Sequence, residues 1–211
     1  MILQILDELY PFDGKCFLHY DAKKPWQLLF ATILSAQCTD ARVNEVTTEL
    51  FKKFPTLESF AIAEISEIEA AVRPTGFFRN KARHLQGAAQ LLLSEHGGIL
   101  PSDLERLTGL PGVGRKTANV VRSHIFKIPC IVVDTHVSRV SRRLGLAKEK
   151  CPVKIEHELM HVLPMEHHIR FNQQVISHGR LVCSARNPRC ENCALKSFCT
   201  YVIILQKERE K

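Results

Sequence analysis

The chain has 211 residues, enough for one large domain or two small ones with ample surface to bury. No apolar run reaches membrane-spanning length, and a soluble intracellular protein is expected. Lys and Arg number 29 against 22 Asp and Glu, a net charge of +7, and residues 112–145 carry most of it: Arg115, Lys116, Arg122, Lys127, Arg139, Arg142 and Arg143 against the single acid Asp134, seven minus one. Such a block is often only a solvated face, but this one overlaps a glycine hairpin and points to a polyanion partner.

In chain order, the opening MILQILDELY is apolar but broken by Asp7 and Glu8 and lacks a basic leader. It reads as a first amphipathic helix, not a secretory signal. Apolar residues then recur at helical spacing: Trp26, Leu28, Leu29, Ile33 and Leu34, next Val43, Val46, Leu50 and Phe51, and later Leu85, Ala88, Ala89, Leu92 and Leu93. Ser-Glu-Ile-Glu at 66–69 and Ser-Asp-Leu-Glu at 102–105 fit capping boxes, and Gly76, Gly97-Gly98 and Gly145 mark helix stops. The only strand-like run, residues 131–133, is too short to build a sheet. The pattern predicts an all-α fold. There is no repeat, low-complexity tract or long Gly/Ser linker, so a second domain would have to pack closely on the first.

Leu-Pro-Gly-Val-Gly-Arg-Lys-Thr-Ala at 110–118 sits between two apolar helical stretches, giving helix, tight hairpin, helix. Gly112 and Gly114 allow a sharp turn and close approach of another molecule, and the second helix aims unpaired amides out of the hairpin, an anion site suited to phosphate. A Walker loop would need Lys116 directly after the glycine, but Arg115 intervenes and no strand precedes it. The dinucleotide fingerprint fails for the same lack of a strand. On the glycine pattern alone, a plain turn between two core helices stays open. So does an ordinary helix cap for Asp134.

Near the C-terminal end, Cys183, Cys190, Cys193 and Cys199 follow C-x6-C-x2-C-x5-C. Four thiolates so close in sequence suggest a metal centre, and spacing alone leaves zinc and a four-iron, four-sulfur cluster both open. Disulfides would need an oxidising compartment, for which the sequence gives no signal. The isolated Cys16, Cys38, Cys130 and Cys151 read as small buried hydrophobes.

Residues 110–118, Val-Asp-Thr-His-Val at 133–137 and the cysteine loop at 183–199 together resemble the hairpin, catalytic aspartate and cluster loop of the endonuclease III family, in order and spacing. Leu-Ser-Ala-Gln-Cys-Thr-Asp at 34–40 and His-Gly-Arg at 178–180 add to the likeness, which spans nearly the whole chain. The resemblance implies a helix-hairpin-helix DNA glycosylase and abasic-site lyase acting in base excision repair. It also implies a 4Fe-4S cluster on Cys183, Cys190, Cys193 and Cys199, and double-stranded DNA with a damaged base or abasic site as partner. A six-helix barrel near residues 18–129 and a cluster domain from 1–17 and 130–211 would hold DNA in a cleft between them. A monomer in the cytoplasm, on the nucleoid through DNA binding, is expected.

Within that family the amine of Lys116 would attack C1′ of the sugar and form a Schiff base. A free lysine has a pKa of about 10.4, so partial burial and crowding by Arg115 would have to favour the neutral amine. Asp134 would stabilise the oxocarbenium ion and assist proton transfer through β-elimination, while His136 would orient local structure. Flipping a nucleotide out leaves a gap, which Gln37 would fill, with Phe77 in the turn 76–78 wedged into the opposite strand. Many relatives carry an aliphatic residue at the wedge, and core packing is the competing reading for Phe77 and Phe78. Gly112, Gly114, Arg115, Arg186 and Lys196 would meet phosphates. Oxidised pyrimidines such as thymine glycol are the implied substrates. Lys116 and the chain length argue against a monofunctional adenine glycosylase. A non-catalytic metal-containing DNA-binding protein would have no reason to keep Lys116 with Asp134.

Overall fold

The computed structural model of the protein describes residues 1–209, with side chains through residue 204. Among the described residues it is all-α, with no strand. The α-helices are α1 (Ile2–Leu9), α2 (Trp26–Leu34), α3 (Asp40–Lys53), α4 (Leu57–Ile62), α5 (Ile65–Val72), α6 (Phe78–His96), α7 (Leu104–Thr108), α8 (Arg115–His124), α9 (Thr135–Leu144), α10 (Pro152–Val162), α11 (His168–Leu181) and α12 (Thr200–Arg209). The chain divides into two compact units, one of Cys16–Lys127 and one of Met1–Lys15 with Ile128–Lys211.

In the unit Cys16–Lys127, every residue of α2 is buried, as expected for a helix that is apolar on all sides. It is surrounded by α3, α6 and α8. Phe30 meets Phe60 edge-on with centroids 4.9 Å apart, and Trp26 stacks against Phe30 at 5.2 Å, a geometry the ring quadrupoles favour. α6 presents Ala82, Leu85, Ala88, Ala89 and Leu92 to this core and packs on α4 and α5. It ends at Gly97, whose left-handed backbone is the predicted stop.

The capping boxes fall elsewhere than expected. α5 starts at Ile65 from Glu64 with no side-chain cap, so Ser66 is already inside the helix. α7 is capped by Asp103, not Ser102, through a bond from Arg106 N to the Asp103 carboxylate at 3.0 Å. The reciprocal box among the described residues is Thr56 with Ser59 on α4, where serine does the work usually given to Glu or Gln.

The unit formed by the two ends of the chain is built around α11, which packs on α9 and α1, with α12 against α9. Leu6, Val137, Val140, Phe171 and Val175 form its apolar centre. Gln174 donates to Asp7 Oδ1 at 2.8 Å and to the Tyr10 carbonyl at 3.2 Å, fastening α1 to α11. Asn172 accepts from Val132 N at 2.9 Å and donates to Cys130 O at 3.1 Å. One side-chain amide thus supplies the run before α9 with the pairing a sheet would have given. Of the isolated cysteines only Cys130 is buried, and Cys151 is exposed at the start of α10, so the expectation of buried hydrophobes fails there.

Candidate functional site

The hairpin between α7 and α8 is pegged into its unit by Leu110 and Val113, 2% and 6% exposed. Its two glycines have different causes. Gly112 sits at φ 77°, and a Cβ there would lie 2.7 Å from the His84 ring, so the fold itself demands glycine. Gly114 has φ −90° and caps α8 with no side-chain bond. A Cβ on it would meet nothing within 4 Å. Both glycines are exposed, and at Gly114 the bare backbone leaves room for a molecule from outside.

The first intrahelical bond of α8 runs from Ala118 N to Gly114 O at 2.9 Å, so the first turn directs its amide dipoles out of the hairpin. Arg115 is half-buried there and Lys116 exposed. The expected partial burial of Lys116 is therefore not found. An exposed amine is open to a substrate arriving from outside.

Gln37 and Phe77 are non-glycine residues in left-handed backbone, φ 53° and 48°. Phe77 is 63% exposed, which excludes core packing for it, whereas Phe78 packs against the core with Arg73 and Arg79 each 5.7 Å from its ring. Gln37 is also exposed. Left-handed backbone at a non-glycine residue is strained and persists only where the surrounding structure holds it. Sequence reasoning missed Lys81, which is buried and donates through Nζ to Leu34 O and Thr75 O, each at 2.8 Å. Burial lowers its pKa, a shift the Cys38 thiol opposes.

In the other unit, Asp134 is the N-cap of α9. Its Oδ1 accepts from His136 N and Val137 N, both at 2.8 Å, and its Oδ2 lies 3.2 Å from His136 Nδ1. His136 is held in turn by α11, where Gly179 is close enough that a Cβ would meet its ring at 3.0 Å. The Asp134 carboxylate thus has a fixed direction and is 17% exposed.

Cys183, Cys190, Cys193 and Cys199 line one pocket with Arg143, His178 and Tyr201, and all four are free thiols. Arg143 donates to Cys183 Sγ at 3.3 Å and to the carbonyls of Ser184 at 2.7 Å and Ala185 at 2.9 Å. His178 Nε2 lies 3.7 Å from Cys193 Sγ, while its Nδ1 pairs with the Tyr10 hydroxyl at 3.0 Å. Burial pushes the Cys190 and Cys193 thiols up, joined by the charge of the neighbouring cysteines and, at Cys193, opposed by a main-chain bond from Leu195. Among the described residues no three His, Cys, Asp or Glu side chains are grouped as ligands of a single ion. Arg186 and Arg189 are exposed in the loop. Lys196 is ion-paired with Glu191 at 2.8 Å, which reduces its charge toward a phosphate.

The family model for HhH-GPD superfamily base excision DNA repair proteins matches residues 30–165. Endonuclease III of Synechocystis sp. (strain ATCC 27184 / PCC 6803 / Kazusa) is 49% identical over 199 residues, covering 94% of this chain and 90% of that one. A non-covalent endonuclease III–DNA complex superposes with a TM-score of 0.90 at 40% identity, over 100% of this chain and 96% of that chain. A trapped endonuclease III–DNA covalent intermediate does so with a TM-score of 0.89 at 40% identity, over 99% and 95%. Fold and hairpin thus define a helix-hairpin-helix base excision repair enzyme. Within that class, the chain belongs to the endonuclease III family.

Proposed function

We infer that this protein excises damaged bases from double-stranded DNA and cleaves the resulting abasic site, the bifunctional DNA glycosylase and abasic-site lyase activity of its family, with oxidised pyrimidines as substrates. The observation that carries the reading is Lys116: an exposed amine in the first turn of α8, directly behind a hairpin whose Gly114 leaves its backbone open. A relative with 40% identity has been trapped as a covalent intermediate with DNA, which requires such a nucleophile.

Phosphates bind at the exposed amides of the hairpin and the α8 N-terminus, with Arg115 adding charge and Arg186 contributing from the cysteine loop. Lys116 attacks C1′ as the base departs, so one bond forms as the glycosidic bond breaks, and opening of the sugar ring at the C1′–O4′ bond, with a proton taken up by O4′, gives the Schiff base. Asp134 contributes a carboxylate whose direction is fixed before substrate arrives. Such preorganised charge stabilises a developing cation more than a mobile group can. Both of its oxygens are already engaged by α9 and His136, which favours electrostatic stabilisation with proton transfer secondary. Gln37 occupies the space left by the flipped nucleotide, and Phe77 stacks against the opposite strand.

The four cysteines fit a 4Fe-4S cluster. Their thiols line one pocket, and four thiolates from one loop suit such a cluster. Bound, the cluster supplies cross-links among four loop positions and leaves the sugar chemistry to Lys116 and Asp134. Residues 18–129 serve as the barrel domain and residues 1–17 with 130–211 as the cluster domain, the protein working as a monomer.

Borohydride trapping on abasic-site DNA tests the reading. Wild-type protein should give a covalent adduct, and Lys116→Gln should give none while still binding the DNA. An undiminished adduct with that variant would move the nucleophile elsewhere, and no adduct with wild-type protein would remove the lyase activity.

A further inference from the structure

Lys81 lies one turn into α6 and is 4% exposed. Among the described residues it has no carboxylate partner; its Nζ donates to two main-chain carbonyls, Leu34 O and Thr75 O, at 2.8 Å each. Burying an ammonium away from a counter-charge is costly, and a methionine would fill the same space without that cost. Packing therefore does not explain a lysine here. Its two acceptors do. Leu34 is the last residue of α2, three positions before Gln37, and Thr75 closes the 3₁₀ turn Arg73–Thr75, two positions before Phe77. Each carbonyl thus stands at the root of a turn that carries an exposed side chain on left-handed backbone. The acceptors are 41 residues apart in sequence, and a single cation joins them.

We propose that Lys81 is a positioning residue for base flipping: its ammonium pins the Gln37 turn to the Phe77 turn, so that both side chains enter the duplex together at the opened nucleotide. The proposal rests on the assignment of Gln37 and Phe77 as the inserting residues. A charged donor suits this role because each charge-assisted bond is short, directional and stronger than a neutral one. It fixes the separation of two turns that share no backbone bond among those described.

The test compares cleavage of an abasic site in duplex and in single-stranded DNA under single-turnover conditions, together with 2-aminopurine fluorescence opposite the site as a report on duplex opening. Lys81→Met should slow duplex cleavage roughly ten- to a hundred-fold, the loss expected for two charge-assisted bonds, and diminish the fluorescence rise. Single-stranded cleavage, which needs no opening, should stay within about twofold. In a Phe77→Ala background the same substitution should cost little more, because two changes that act through one event do not add. Lys81→Gln, with one donor group too short to bridge both carbonyls, should fall between. Equal losses on both substrates, additive losses with Phe77→Ala, unchanged duplex cleavage, or failure of both Lys81 variants to fold would each overturn the proposal. Absence of wild-type cleavage on either substrate would instead overturn the lyase assignment on which it stands.

Discussion

The two units, one carrying Lys116 and the other Asp134, hold themselves together by different means. Cys16–Lys127 is one continuous stretch whose core is its own apolar residues, with α2 wholly buried and its Trp26 and Phe30 rings interlocked with Phe60. The unit from the two chain ends has an apolar centre too, but much of its cohesion is polar. Gln174, Asn172, Arg139 and Arg143 each bridge segments far apart in sequence, and four thiols face a shared pocket. The comparison teaches that Lys116 rides on a continuous apolar core, whereas Asp134 rides on one that the proposed cluster would complete.

The largest effect should come from breaking that dependence. Cys193→Ala, or iron chelation, should remove a structural metal centre worth on the order of 10 kcal/mol. Hydrogen exchange should then show Val137 and Val175 losing protection while α2 and α6 keep theirs. Equal loss in both units would erase the contrast. The converse is Phe30→Ala, which empties a fully buried site and should cost about 3 to 5 kcal/mol, read as a fall in melting temperature with the brown colour of the cluster retained at low temperature.

Acid sharpens the contrast next. Burial, aided by Lys127, lowers the pKa of His124 from 6.5 to about 4. Above pH 6.5 the group is neutral folded or unfolded and its contribution is fully present. As pH falls toward 4 the unfolded chain takes up a proton that the fold resists, and the Cys16–Lys127 unit should lose up to roughly 3 kcal/mol. His124→Gln should flatten that slope in denaturant titrations at successive pH values.

The smallest effect on stability concerns Asp134. Asp134→Asn retains a capping side chain and should leave stability nearly unchanged, whereas Asp134→Ala should cost ~1 kcal/mol. Both should excise bases far more slowly than wild type. Near-normal excision by the asparagine variant would reduce Asp134 to a cap.

Sequence reveals what is local. Periodicity located α2, α3 and α6, and the stops at Gly97 and Gly145 follow from the left-handed backbone at each. It misplaced two helix starts because Ser-x-x-Glu is a frequent pattern: at 102–105 the neighbouring Asp103 was the stronger acceptor, and at 66–69 the helix had already begun. Lys81 stayed hidden because its acceptors are backbone carbonyls, 47 and 6 residues away, and a carbonyl has no residue type to read. The same holds for Arg143, whose partners Ser184 and Ala185 are met through main-chain oxygens. Motif singled out Lys116 and Asp134, but the exposure of the first and the double engagement of the second could not be read from it.

One more consequence lies in the order of elements. α1 belongs with α11, with Leu6 fully buried and Asp7 bonded to Gln174, yet all of Cys16–Lys127 intervenes between them. On the ribosome, at ~5 to 20 residues per second, α1 must wait on the order of ten seconds or longer for its partner helix to emerge, while the central unit can already close. The nascent chain therefore carries an unpaired apolar helix through most of its synthesis, a natural client for a chaperone that binds near the exit tunnel.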